Sequence, residues 1–213
     1  MSKYLKPVKT YNSYIQAVRS CRQNIQYNPS GGWGGSTGSA DLGFSFQLAQ
    51  VGMAIEGVVT YVQSLPSISE FTNLFDEYRI KRVKFELHYS FANGNSGATY
   101  PYPVLNVAND LDSFGSFNLD DMNQYPNKKT FQCVPGQPIT WSVRPVARAD
   151  VLTNSVVTST SAAMNTSWLS TSSSVVRHLG TRMWLDNAGR STNVDLGTFT
   201  IYVSYELEFR GMR

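Results

Sequence analysis

The five residues "GGSTG", 34–38, match the Gly-x-Ser-x-Gly spacing of a nucleophile elbow, with Ser36 in the nucleophile position. That geometry requires a strand before the serine and a helix after it, because the sharp turn between them exposes the hydroxyl. Here the serine lies within the Gly/Ser-rich stretch 30–42, whose composition is that of a flexible linker. We therefore predict that Ser36 is a linker residue and that the chain has no catalytic residue.

A second candidate site is an acidic segment that places Asp110, Asp112, Gly115 and Asp121 at positions 1, 3, 6 and 12 of a calcium-binding loop. Phe114 occupies a ligand position, and a short aspartate stands where such loops carry a bidentate glutamate. The preferred interpretation is a polar loop whose aspartates form turns. The alternative is weak calcium binding by an acidic loop at a subunit contact. We predict no metal site.

Histidine and cysteine residues are too few and too dispersed for a metal or redox centre. His88 and His178 have neither the His-Glu-x-x-His pattern nor a nearby cysteine pair, and Cys21 and Cys133 form no Cys-x-x-Cys pair. Two dispersed cysteines are typical of free thiols in a reducing compartment. The chain also has no P-loop and no dinucleotide-binding motif, so we predict no cofactor and no enzymatic activity.

Positive charge is concentrated at the beginning of the chain. The 213 residues contain 18 Lys and Arg against 15 Asp and Glu, and no acidic residue precedes Asp41. A basic segment in front of a near-neutral body is suited to contact with a polyanion. The candidate nucleic-acid-binding residues of this segment are Lys3, Lys6, Lys9, Arg19 and Arg22.

Composition divides the chain into three parts. Residues 1–29 form the predicted basic N-terminal arm, residues 30–42 a Gly/Ser-rich hinge, and residues 43–213 the body. The basic start is not followed by an apolar signal-peptide region, and the most apolar window, 51–62, is too short to cross a bilayer. We expect a soluble protein that is made in the cytosol and does not insert into membranes.

The body is predicted to be built from strands. Its final segment, 197–209, alternates apolar and polar residues throughout, which is the pattern of a strand with one buried face. About eight such strands, separated by long polar loops, predict an all-β fold, namely an antiparallel eight-stranded jelly-roll β-sandwich. An amphipathic helical turn is expected at 67–78, with Phe71, Leu74 and Phe75 on its apolar face.

The strand that follows this turn has an unusual polar face. Its inward residues are predicted to be Val83, Phe85, Leu87, Tyr89 and Phe91, and its outward residues Arg82, Lys84, Glu86 and His88. Arg82 and Lys84 are therefore further candidates for nucleic-acid binding. The alternative is that these cations form salt bridges within or between subunits. Arg79 and Lys81, near the start of the strand, have Asp76 and Glu77 as their expected partners.

The segment "FTNLFDEYRIKRVKFEL" resembles a segment of the capsid proteins of circovirus-like viruses, which have circular single-stranded DNA genomes. In that family a Leu-Phe-Asp-x-Tyr-x-Ile motif leads into a jelly-roll strand. The matching residues here are Phe75, Asp76, Tyr78, Ile80 and Val83. The later segment "VLNVANDLDSF…LDDMNQYPNKKTFQ" is similar to a loop of the same family. Together the two segments cover about a quarter of the chain.

This resemblance implies a capsid protein that self-assembles into a small icosahedral shell, with T=1 and about sixty copies, around single-stranded DNA. It also implies a virion component made in the host cytoplasm, with assembly in the host nucleus as an option. The expected partners are further copies of the chain and viral nucleic acid, and no motif identifies a host receptor. The alternatives are the coat protein of a small single-stranded RNA virus or satellite, and a ligand-binding jelly-roll module.

Overall fold

A computed structural model describes residues 15–26, 40–48, 50–55, 58–64, 67–90, 102–110, 119–150, 161–164, 168–174, 176–186 and 198–212. These residues form mainly strands. The strands are β1 (Ile15–Gln26), β2 (Ala40–Phe46), β3 (Gln50–Ile55), β4 (Val58–Ser64), β5 (Phe75–Ser90), β6 (Val104–Ala108), β7 (Lys129–Gln132), β8 (Ile139–Val143), β9 (Val146–Asp150), β10 (Ser161–Met164), β11 (Leu169–Ser170), β12 (His178–Asp186) and β13 (Thr198–Met212). The helices are α1 (Ile68–Leu74), α2 (Leu119–Gln124) and a 3-10 turn at Thr171–Ser173.

The strands form two antiparallel sheets. In the five-stranded sheet the order is β1-β13-β5, and both β8 and β11 pair with the other edge of β5. In the eight-stranded sheet the path is β10-β9-β12-β2-β3-β4, with β6 paired to β12 and β7 paired to β6. The prediction of an antiparallel jelly-roll sandwich is confirmed, although short additional strands raise the number above the eight expected.

The core lies between the inner faces of the two sheets. Phe85 of β5 packs edge-on against Phe44 of β2, with ring centroids 5.1 Å apart, and Phe46 packs edge-on against Tyr205 of β13 at 5.7 Å. The inward residues predicted for β5 are buried from Val83 to Tyr89, and Phe91 lies outside the described residues. The alternation of apolar and polar residues therefore placed the core correctly for the two longest strands.

The helical turn before β5 is shorter than expected. α1 ends at Leu74, whose side chain is 51% exposed, and Phe75 is already the first residue of β5. The predicted apolar face is thus wrong for Leu74, whereas Phe71 packs on the core by stacking on Phe209. Neither α1 nor α2 is long enough to cross a bilayer, and no other helix among the described residues is.

β1 lies within the segment predicted to be the N-terminal arm. All twelve of its residues are in antiparallel register with β13, from Ile15 opposite Phe209 to Gln26 opposite Thr198. At the other end of the predicted hinge, residues 40–42 belong to β2. Residues 1–14 and 27–39 lie outside the described residues, so the division into arm, hinge and body stays a prediction.

Candidate nucleic-acid interface

A β-bulge in β5 explains why this strand presents so many cations on one face. In the pairing with β13, Arg82 is opposite Glu206 and Ile80 is opposite Leu207, so Lys81 is an additional residue without a counterpart. A bulge of this kind places two consecutive residues on the same side of the sheet. Lys81 and Arg82 therefore both lie on the outer face, whereas Ile80 and Val83 are both buried.

The bulge brings four cations together on the outer face of the five-stranded sheet. We call Arg79, Lys81, Arg82 and Lys84 the basic cluster. Two carboxylates of β13 pair with it: Glu208 contacts Arg79 and, at 3.1 Å, the ammonium of Lys81. Glu206 lies 2.5 Å from the ammonium of Lys84 and 3.8 Å from Nε of Arg82. Four positive charges thus face two negative ones, which leaves a surplus of two.

Both carboxylates are held in the ionised form. The hydrogen bond from Lys84 is the main cause that lowers the pKa of Glu206 below its ordinary value. Burial raises the pKa of Glu208, whose side chain is only 1% exposed, but the hydrogen bonds from Arg79 and Lys81 outweigh burial and the pKa is lowered. Two ionised carboxylates between four cations fix the outer face as an ordered array of charge.

Further side-chain contacts lie at the two ends of the array. At one end Arg210 of β13 pairs with Glu77, and the guanidinium groups of Arg79 and Arg210 lie 4.6 Å and 4.3 Å from the ring centroid of Trp168. Contacts of this length are typical of cation–π interactions. At the other end Glu86 lies 2.5 Å from Nε2 of His88. Glu77 therefore balances Arg210 at one end, and the carboxylate of Glu86 borders the basic cluster at the other.

The predicted partners of two cations were wrong. Arg79 and Lys81 pair with Glu208, which is more than a hundred residues away along the chain, and the predicted partner Glu77 pairs with Arg210. The predicted placement of Arg82 and Lys84 on the outward face is confirmed, and so is the alternative that they form salt bridges. A role of these cations in nucleic-acid binding stays a prediction.

The sequence did not identify Glu206 and Glu208 as the partners of the basic cluster, although both alternate with the apolar residues of the last strand.

Of the predicted arm cations, Arg19 and Arg22 lie on β1, opposite Tyr205 and Tyr202 of β13. Lys3, Lys6 and Lys9, like Ser36, lie outside the described residues.

The acidic segment considered for calcium contains a buried ion pair. Asp110 lies 2.5 Å from Nε of Arg182 on β12 and accepts a hydrogen bond of 2.8 Å from the hydroxyl of Tyr125. Both charged side chains are almost completely buried. Asp110 thus holds a guanidinium, and the described residues contain no group of three or more acidic, histidine or cysteine side chains that could hold a metal ion.

Two further buried titratable groups, His178 and Cys133, lie in the interior of the sandwich. His178 donates from Nδ1 to the carbonyl oxygens of Phe46 and Val176, and burial lowers its pKa. Cys133 is a buried free thiol whose pKa burial raises to about 12, so it remains protonated at neutral pH. Neither group has the neighbours required of a nucleophile or a general base.

Comparisons with known proteins identify the fold and the family of the chain. No curated protein sequence matches the chain. Among solved structures, a 60-mer BFDV capsid protein matches with a TM-score of 0.61 and 16% identity, over 94% of this chain and 95% of that one. A decameric BFDV capsid protein matches with a TM-score of 0.54 and 16% identity, over 93% of this chain and 99% of that one. At this identity the two matches establish the fold.

The family follows from the sequence itself. The circovirus capsid protein model matches residues 12–213, which is almost the whole chain and includes β1 as well as β13. A family of capsid proteins consists of structural components of the virion, which confirms the prediction that the protein is not an enzyme. The chain belongs to the circovirus capsid protein family.

Proposed function

We propose that the protein is the coat subunit of a small icosahedral virion, in which about sixty copies form a T=1 shell around single-stranded DNA. Family membership supports the coat function, and the similar BFDV protein is described as a 60-mer. We further propose that the subunit is made in the host cytoplasm and that shells assemble in the host nucleus, where single-stranded DNA would be packaged.

The nucleic acid would contact the basic cluster on the outer face of the five-stranded sheet. The observation that carries this proposal is the bulge at Lys81, which aligns four cations against two carboxylates. A surplus of positive charge on an ordered surface releases counterions when it binds phosphates, and this release supplies most of sequence-independent affinity. The arm residues Lys3, Lys6, Lys9, Arg19 and Arg22 would supply further cations for the nucleic acid.

The cations of the arm and of the basic cluster can be compared in number with the phosphates of a genome. With about sixty copies, five arm cations per chain give about 300 positive charges, and the surplus of the basic cluster adds about 120. Coding for 213 residues alone requires about 640 nucleotides, each with one phosphate. The arm alone cannot neutralise a genome of that size. The two sources together supply about 420 charges, so the sheet surface would contribute and other cations, such as polyamines or metal ions, would neutralise the rest.

The first test is the mass and content of purified full-length protein. Sixty copies of the 23.7 kDa chain give a particle of about 1.4 MDa. We expect a uniform particle of this mass in size-exclusion chromatography and negative-stain microscopy, with nuclease-protected nucleic acid inside. A stable 24 kDa monomer at high protein concentration would contradict the proposal.

The second test concerns the basic cluster. Changing both Arg82→Gln and Lys84→Gln should leave shell formation intact and lower the ratio of absorbance at 260 nm to that at 280 nm. Arg177→Gln is the matched control, because Arg177 is an exposed cation outside the cluster. Equal nucleic-acid content in all three particles would show that packaging does not depend on this face.

A further inference from the structure

A polar pocket of about 440 Å³ lies on the outer face of the five-stranded sheet, next to the basic cluster. Its floor is formed by two rows of outward residues that cross β8, β5 and β13. The first row is Ser142, Lys84 and Ser204, and the second row is Thr140, Glu86 and Tyr202. The volume is within the range of small-molecule sites, and it is large enough for one nucleotide.

The first row provides a cationic end. Lys84 stands between the hydroxyls of Ser142 and Ser204, which are short enough to leave space around its ammonium. Lys129, the first residue of β7, approaches the same pocket from the eight-stranded sheet. Two ammonium groups and two hydroxyls are donors suited to a phosphate, and Lys84 would share its charge between that phosphate and Glu206.

The second row provides an aromatic end. Tyr202 is half-buried, and His88 contacts its ring edge-on with centroids 5.4 Å apart, which restricts the orientation of the ring. Glu86 lies beside it and accepts from His88. An aromatic ring is the surface on which nucleic-acid bases stack, whereas a carboxylate accepts hydrogen bonds from exocyclic amino groups.

We propose that this pocket holds one nucleotide of single-stranded nucleic acid, with its phosphate between Lys84 and Lys129 and its base stacked on Tyr202. Outward residues of successive rows are separated by about 7 Å along a strand, which matches the distance from a phosphate to its own base. The proposal rests on the proposed function, because it specifies how the same face contacts nucleic acid.

The position of Glu86 gives the pocket a base preference. Its carboxylate repels phosphate, and one of its oxygens accepts from His88, so the other oxygen favours a base that can donate a hydrogen bond. Cytosine, adenine and guanine carry an exocyclic amino group, and thymine does not. The pocket therefore favours these bases over thymine.

The test uses full-length protein freed of nucleic acid at high salt, with deoxycytidylate and thymidylate oligonucleotides of equal length as probes in fluorescence anisotropy. Tyr202→Leu should weaken the binding of deoxycytidylate about fivefold or more, whereas Tyr202→Phe, which keeps the ring, should change it less than about twofold. Lys129→Met should weaken both probes, and this exposed position of β7 is not part of the core.

Glu86→Val tests the base preference. The wild type should bind deoxycytidylate about fivefold more tightly than thymidylate. In the variant the two affinities should converge, because the carboxylate no longer discriminates and no longer repels phosphate. Melting temperatures measured alongside separate a binding defect from a folding defect.

The outcomes distinguish the two proposals. If the wild type binds neither oligonucleotide, the proposed nucleic-acid function of the sheet fails. If it binds both oligonucleotides equally and Tyr202→Leu and Lys129→Met bind like the wild type, the nucleotide pocket is overturned while the general electrostatic contact remains.

Discussion

Lys81 is the additional residue of the bulge in β5, and its ammonium lies 3.1 Å from Oε1 of Glu208 on β13. The contact joins the irregularity of one strand to an almost buried carboxylate of its neighbour. Because of the bulge, the residues before it and after it keep their apolar side chains in the core while every cation of the segment stays on the outer face.

Deleting Lys81 should therefore be far less damaging than deleting a residue outside the bulge. Without Lys81, the residues Ile80, Arg82 and Val83 follow the regular alternation of inward and outward side chains and keep their register with β13. Deleting Lys84, which lies beyond the bulge, turns all residues on one side of the deletion to the opposite face, so apolar side chains of β5 would leave the core. Thermal unfolding of both deletion variants checks this, and equal melting temperatures would contradict it.

Phe85→Ala should destabilise the subunit by about 3–5 kcal/mol and prevent particle formation, because it leaves a cavity between the sheets. Phe85 is 2% exposed and contacts three rings from two other strands, those of Phe44 and Phe46 on β2 and of Trp141 on β8. Ser90→Ala, at an exposed position of the same strand, is the control. Denaturant unfolding and negative-stain microscopy measure the two effects.

Two N-terminal deletions should behave differently. Removing residues 1–14 takes away Lys3, Lys6 and Lys9 and leaves β1 intact, so we expect particles that form normally and carry less nucleic acid. Removing residues 1–29 also removes β1 and exposes the edge of β13, which should impair folding and promote aggregation. Normal particles from the longer deletion would show that β1 is dispensable for the shell.

Stability should fall as the pH drops below about 6.5, the ordinary pKa of histidine. Burial lowers the pKa of His178 in the folded subunit, so the unfolded chain binds the proton more tightly than the folded one. The stabilisation is complete above that pH and is lost as the pH falls towards the lowered pKa. His178→Asn keeps a side-chain donor and cannot be protonated, so its melting temperature should depend less on pH in this range.

The ion pair of Asp110 and Arg182 should be sensitive to the loss of one partner. Asp110→Ala leaves a buried guanidinium without this carboxylate and should cost about 3–5 kcal/mol. The double change of Asp110→Ala and Arg182→Met should recover part of that loss, because no buried charge remains. Asp120→Ala, at an exposed position of α2, is the control for chemical denaturation.

Local patterns in the sequence were sufficient to predict which face of each long strand is buried. The alternation from Val83 to Tyr89 and from Phe199 to Phe209 predicted the buried residues, because a half-buried strand has a period of two. The same rule could not detect the bulge. Its signal is the spacing of Ile80 and Val83, with two cations between them, and this spacing has meaning only once the register with β13 is known.

Interactions between residues far apart along the chain could not be predicted from the sequence. Glu208 meets Arg79 across 129 residues, and the pocket beside Lys84 depends on small side chains from two other strands, Ser142 and Ser204. β1 was assigned to an arm because its own residues show no steady alternation, and its strand conformation comes from pairing with β13. Pairing of this kind depends on tertiary context more than on local propensity.

The pairing of β1 with β13 also has a consequence for synthesis. The first and last strands of the described chain are neighbours, and β13 supplies both carboxylates of the basic cluster. On the ribosome, the cations of β5 emerge long before Glu206 and Glu208, and the five-stranded sheet cannot close until β13 has emerged. The emergence of β13 is therefore the event that both closes this sheet and partly neutralises the basic cluster, so a chain that terminates before β13 cannot be incorporated as a correct shell component.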